Sequence, residues 1–164
     1  MKPVAIFVTY NPLNEFEQTL AIRLHTLGAV NGFTMLLPER FGGKTLVTPD
    51  TEYRIKSADY FVFFSTSKLT PTVQREIDVA YNHLKDRSKI IIVYDGVKNI
   101  KHNMHCTEVL IDSSTSSSSE ILEETLARIQ SNQTKSARKD AQNALGAFLL
   151  IGLGLLALNS ATSK

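Results

Sequence analysis

The sequence predicts an α/β fold built on a five-stranded parallel sheet, and three observations predict it. Short, continuous apolar runs recur along residues 1–131. Between them, apolar residues repeat at helical spacing. Turn-forming residues separate the two patterns at most junctions. A short apolar run bounded by turn residues reads as a strand buried on both faces. Strands that alternate with helices imply crossover connections, and hence a parallel sheet covered on both sides.

The elements follow in order. Val4–Val8 is the first strand, stopped by Tyr10, Asn11 and Pro12. Phe16, Leu20, Leu24 and Leu27 then mark one helical face, with Asn14 as N-cap and Gly28 as the C-terminal stop. Phe33–Leu37 is the second strand, closed by Pro38, and a loop containing Gly42 and Gly43 follows. Thr48 and Pro49 open a short helix, cap first and proline in the first turn. Tyr60–Phe64 is the third strand and ends in Ser65, Thr66 and Ser67. Val73, Ile77, Ala80, Tyr81 and Leu84 form the next helical face, and Lys89–Tyr94 is the fourth strand. Val109–Ile111 is a weaker fifth strand, and a last helix covers Glu120–Ser131. Ser113–Ser119, six serines and one threonine, is a solvated loop in which Ser117 and Glu120 have capping-box spacing. The layout is flavodoxin-like and doubly wound. Such sheets bind ligands beyond the carboxyl ends of their strands. That edge gathers Thr9–Pro12, Pro38–Gly43, Ser65–Thr70 and Asp95–Lys98.

Composition bounds the function. The 164-residue chain suits one domain with a real core. Its formal charge of +2 is uneven: residues 132–164 carry a net +3, which leaves the rest at −1. A near-neutral main domain argues against nucleic acid as a partner, since such binders concentrate Lys and Arg on one face. The single cysteine, Cys106, excludes an intrachain disulfide framework and suits the cytoplasm. The chain therefore divides into a domain over 1–131, a polar basic linker over 132–143 and an apolar helix over 144–158. That last run has no charged or polar side chain. At about 22 Å it is short for a bilayer core of about 30 Å. It serves either to reach the inner face of a membrane, with Arg138 and Lys139 on the cytoplasmic flank, or to bury itself against other copies of the chain. An ordinary last helix of the domain fits less well, because apolar residues surround it on every side.

One segment carries a chemical signal. Across Ser65–Ala80 a buried strand ends in hydroxyl residues, a loop follows, and Glu76 sits about one turn into a helix, flanked by Val73, Ile77 and Ala80. A carboxylate there either faces the cleft, where it can stabilise a cationic transition state or accept a sugar hydroxyl, or is a surface residue beside Arg75. In the cleft reading Glu76 shares its surroundings with Tyr10, Asn11, Arg40 and Ser65, each at or near a strand's carboxyl end. His102, His105 and Cys106 lack a second cluster and read as a polar loop rather than a zinc site, so no metal is expected. Gly42, Gly43 and Lys44 do not complete a phosphate loop.

The order of these segments resembles a TIR domain, the Toll/interleukin-1 receptor type. Phe7-Val8-Thr9-Tyr10 stands where that family has Phe-x-Ser-Tyr. Ile55–Asp59 matches the approach to its third strand with one inserted residue. Val73, Glu76, Ile77 and Ala80 match its glutamate helix, with Thr72 at the position of a tryptophan. The resemblance covers residues 1–131. It implies an NAD nucleosidase or cyclase in anti-phage defence that works without cofactor or metal, is activated by self-association, and signals to a downstream effector. It makes Glu76 catalytic and places substrate against Tyr10, Asn11, Arg40, Phe41, Ser65 and Thr72, with Tyr10 or Phe41 supplying the ring that Thr72 lacks. Three alternatives stand beside it. One is a non-catalytic TIR interaction module. Another is an enzyme resembling the nucleoside deoxyribosyltransferases, which share the layout and a glutamate after the third strand. In those the approach to the glutamate helix is usually Gly-rich, whereas here it is Leu69–Thr72. The third is an effector whose apolar tail is the working part.

Overall fold

The computed structural model describes residues 3–40, 46–96, 105–112 and 114–135. Its strands are β1 (Ala5–Thr9), β2 (Thr34–Leu36), β3 (Tyr60–Ser65), β4 (Ile90–Asp95) and β5 (Thr107–Ile111). Its helices are α1 (Glu15–Val30), α2 (Pro49–Ser57), α3 (Pro71–His83) and α4, described over residues 118–135. The strands form one sheet in the order β2-β1-β3-β4-β5, and every pair is parallel. The expected doubly wound layout is therefore present. Phe41, Gly42, Gly43, Lys44, His102 and the 144–158 run lie outside the described residues. No helix among the described residues is long and apolar enough to cross a membrane.

Alternation along each strand sends side chains to two cores. Ile6, Val8, Tyr60, Val62, Phe64, Ile91 and Val93 meet Leu20 and Leu24 of α1 and Ile121, Leu122, Leu126 and Ile129 of α4. Phe7, Phe61, Phe63, Ile90 and Ile92 meet Ile55 of α2 and Val73, Ile77 and Ala80 of α3. The Phe7 and Phe61 rings stack there, 5.6 Å apart at 7°. Burial on both faces is why these strands read as unbroken apolar runs.

The helix starts follow their caps. Asn14 accepts from the N–H groups of Phe16 and Glu17, Thr48 from Thr51, and Thr70 from Val73. Ser117 and Glu120 exchange hydrogen bonds at 2.8 and 3.3 Å, the reciprocal pattern their spacing predicts.

The stop at Gly28 is a correction. Helix α1 continues to Val30, and the chain turns at Gly32, whose φ of 83° is left-handed. Gly28 instead lets β2 approach: a Cβ there would overlap the Met35 side chain, with Cε at only 3.0 Å. Gly28→Ala is expected to change stability by no more than about 1 kcal/mol in urea denaturation, because the flexible end of Met35 shifts and alanine is about 1 kcal/mol better than glycine inside a helix.

Candidate active site

In the order 2-1-3-4-5, chain direction across the sheet reverses between β1 and β3, and the crevice opens beyond their carboxyl ends. Thr9 ends β1 and Ser65 ends β3. Both share strand parity with the phenylalanines that face α2 and α3, so both belong to the α3 side of the sheet.

Glu76 arrives at this point from α3. Thr70 caps that helix and Pro71 begins it, which fixes where its first turns lie over the sheet. Val73, Ile77 and Ala80 pack into the core, and Glu76, on the same helical face, is carried in with them to 1% exposure. The carboxylate is held through one oxygen. Thr9 Oγ1 donates a hydrogen bond to Oε2, and Arg40 Nη2 donates to the same oxygen at 2.9 Å. Arg40 Nη2 also reaches Thr9 Oγ1 at 3.0 Å and the Tyr10 carbonyl at 3.1 Å, and its guanidinium lies 5.4 Å from the Tyr10 ring centroid. Burial pushes the Glu76 carboxyl above its ordinary range, while the Arg40 charge and the Thr9 and Arg40 hydrogen bonds pull it back. The result is a desolvated carboxylate paired, among the described residues, with one cation, Arg40.

A second buried carboxylate builds the crevice walls. Glu17, fully buried on α1, accepts from Asn11 N at 2.8 Å through Oε2. Its Oε1 accepts from Thr66 N (2.8 Å), Thr66 Oγ1 (2.9 Å), Ser67 N (3.0 Å) and Ser67 Oγ (3.0 Å). It thereby ties the loop after β1 to the loop after β3, and five donors make up for its desolvation. Glu17 and Thr9 were not singled out from sequence. The signal for Glu17 is its position three residues after the Asn14 cap, which is capping-box spacing. In the structure the side chain reaches across to the loops instead of back to the cap. The signal for Thr9 is its parity with Phe7.

The remaining candidates occupy varied places. Tyr10 packs its ring into the α1-side core. Asn11 Nδ2 donates to Ser67 Oγ (3.1 Å) and the Lys68 carbonyl (3.2 Å), and its Oδ1 accepts from Leu13 N (2.9 Å), so its amide shapes the loops. Ser65 is fully buried, and Thr72 is buried in the first turn of α3. Asp95, at the end of β4, is fully buried and shares parity with Val93 on the α1 side. The open groove lined by Ile22, Leu27, Val30 and Leu122 lies on the α1 and α4 side, away from Glu76. Among the described residues no three of His, Cys, Asp and Glu cluster as metal ligands. Burial, then the Glu108 charge, pushes the Cys106 thiol up to about 11.

No family model matches the chain, and no curated protein does. A solved structure that does match is the Clostridium botulinum CMP N-glycosidase BcmB. It is 17% identical, with a TM-score of 0.52, and the match covers 74% of this chain and 96% of that one. The TIR resemblance is thereby corrected: the matching structure is a CMP N-glycosidase, not a TIR domain, and no family model supports the TIR reading. The reason is physical. Buried strands ending in hydroxyl residues, followed by a capped helix, belong to any doubly wound parallel sheet, so their order does not single out one family. Thr72, at the position of the family's tryptophan, departs from the TIR pattern and is buried within α3 rather than offering a surface for stacking.

Proposed function

We propose that this protein cleaves the N-glycosidic bond of a nucleoside or nucleotide, with Glu76 as the carboxylate at the reacting sugar. The observation that carries the reading is the Glu76 carboxylate itself, buried at the β1/β3 crevice and pinned through Oε2 by Thr9 and Arg40. The likeness in fold to an N-glycosidase supports the same bond class.

The chemistry suits one desolvated carboxylate. As the C1′–N bond breaks, its electron pair leaves with the base and positive charge develops at C1′ and the ring oxygen. A carboxylate with low-dielectric surroundings stabilises that charge more strongly than water does. Water then adds at C1′, its hydroxyl remaining on the sugar and its proton ending on the base. Substrate and water give free sugar and free base, and the reaction written this way uses no metal.

The test is release of free base from a panel of ribo- and deoxyribonucleosides and their 5′-monophosphates, followed by chromatography with the full chain. NAD belongs in the panel, because its nicotinamide–ribose linkage is of the same bond class. We expect base release from at least one nucleoside or nucleotide in the panel. If every member stays intact across pH 5–9, the proposal fails.

A further inference from the structure

Resting on the glycosidase reading of Glu76, we propose that Arg40 is a positioning residue: it sets its charge against the Glu76 carboxylate and pins Oε2, which leaves Oε1 as the oxygen presented to the sugar. This assigns Arg40 to the glutamate rather than to substrate.

Three observations carry it. First, both contacts on the carboxylate converge on Oε2, from Thr9 Oγ1 and from Arg40 Nη2 at 2.9 Å, and no described residue donates to Oε1. The two contacts anchor Oε2 and leave Oε1 as the oxygen available to a sugar. Second, one Arg40 nitrogen serves Glu76, Thr9 and the Tyr10 carbonyl together, within 2.9–3.1 Å. Its guanidinium thus closes a ring around the same oxygen. Third, the arrangement is poor as simple scaffolding. Arg40 Nε is buried and has no hydrogen-bond partner among the described residues, although buried N–H groups are normally satisfied. A guanidinium kept in place despite an unpaired donor is explained by its charge, opposite a carboxylate that burial would otherwise neutralise.

The other charged groups near this edge do not serve. Glu17 and Asp95 are acidic side chains, not cations, and belong to the α1 side of the sheet. Arg75, next to Glu76 in sequence, is exposed. Arg40 from the segment after β2 and the Thr9 hydroxyl from β1 are the groups that lower the Glu76 carboxyl against its burial.

The sign follows. Without Arg40, Glu76 takes up its proton at higher pH, so the acid limb of the rate profile moves toward neutrality. The experiment has two arms on the full chain, comparing the parent with Arg40→Gln and Arg40→Lys. The first arm follows the Glu76 carboxyl by carbon NMR on glutamate-labelled protein, using Glu76→Gln to assign the signal, and needs no substrate. The second is the pH profile of base release. In Arg40→Gln we expect the Glu76 midpoint and the acid limb to move up together by about 1–2 pH units, with most of the rate recovered at high pH. Arg40→Lys keeps the charge, so its midpoint stays near the parent's, while its rate falls at every pH because the planar fork is lost. A Glu76 midpoint unmoved in folded Arg40→Gln overturns the proposal. So does a faster Arg40→Gln enzyme, which would make Arg40 a plug over the carboxylate. If Arg40→Gln does not fold, a lysine variant whose rate and midpoint both equal the parent's overturns it instead. A parent that releases no base from any substrate sinks the glycosidase reading, whatever the NMR arm shows.

Discussion

Glu76→Gln is expected to reduce base release by about three orders of magnitude, equivalent to about 4 kcal/mol of transition-state stabilisation. The amide has nearly the shape of the carboxylate, and its oxygen still accepts from Thr9 and Arg40. What it lacks is the negative charge that faces the developing cation. The loss therefore falls on kcat, with KM changing little, because an interaction made mainly in the transition state is removed. The fold persists. Arg40 keeps an acceptor but loses its counter-charge, which costs about 1–2 kcal/mol in denaturant unfolding. Base release within tenfold of the parent would remove Glu76 from the chemistry.

Glu17→Ala carries the largest expected effect on stability, a loss of about 3–5 kcal/mol measured by urea unfolding. The Glu17 carboxylate accepts five hydrogen bonds from Asn11, Thr66 and Ser67, and three of the donors are backbone N–H groups. Removing it leaves those donors buried beside a cavity. Glu17→Gln keeps one oxygen acceptor and turns the other into a donor facing donors, so it falls between the parent and alanine. Both variants also loosen Thr66–Lys68 against Asn11, so base release falls further than the loss of folded protein accounts for. A Glu17→Ala protein within 1 kcal/mol of the parent would show that the two loops hold each other without the clamp.

These two carboxylates illustrate what sequence carries and what it does not. The strands were legible because parallel strands are buried on both faces and leave unbroken apolar runs. Thr48, Pro49 and the Ser117–Glu120 pair announced helix starts through local chemistry. Gly28 misled because glycine serves two purposes, ending a helix or admitting a neighbour, and only the position of Met35 in space decides between them. Val73, Ile77 and Ala80 marked the buried face of that helix, since spacing of three and four residues is local, but whether Glu76 joined them or lay at the surface beside Arg75 was left open. The Glu76 hydrogen bond from Thr9, 67 positions away in sequence, was not legible at all. Neither was the role of Glu17, whose donors Thr66 and Ser67 lie about 50 residues distant. The family resemblance went astray on the same ground. It rested on loose motifs and on their order and spacing along a doubly wound layout, and not on the contacts around the carboxylate.

The account rests on cleavage of a C1′–N bond, and the most direct measurement is the product balance. The full chain is incubated with the best substrate of the panel, and base and sugar product are quantified together by mass spectrometry. The account predicts unmodified free base and the corresponding free sugar or sugar phosphate in equal amounts, both abolished in Glu76→Gln. A base altered on its ring with the glycosidic bond intact would contradict it, as would full product formation by the Glu76→Gln protein.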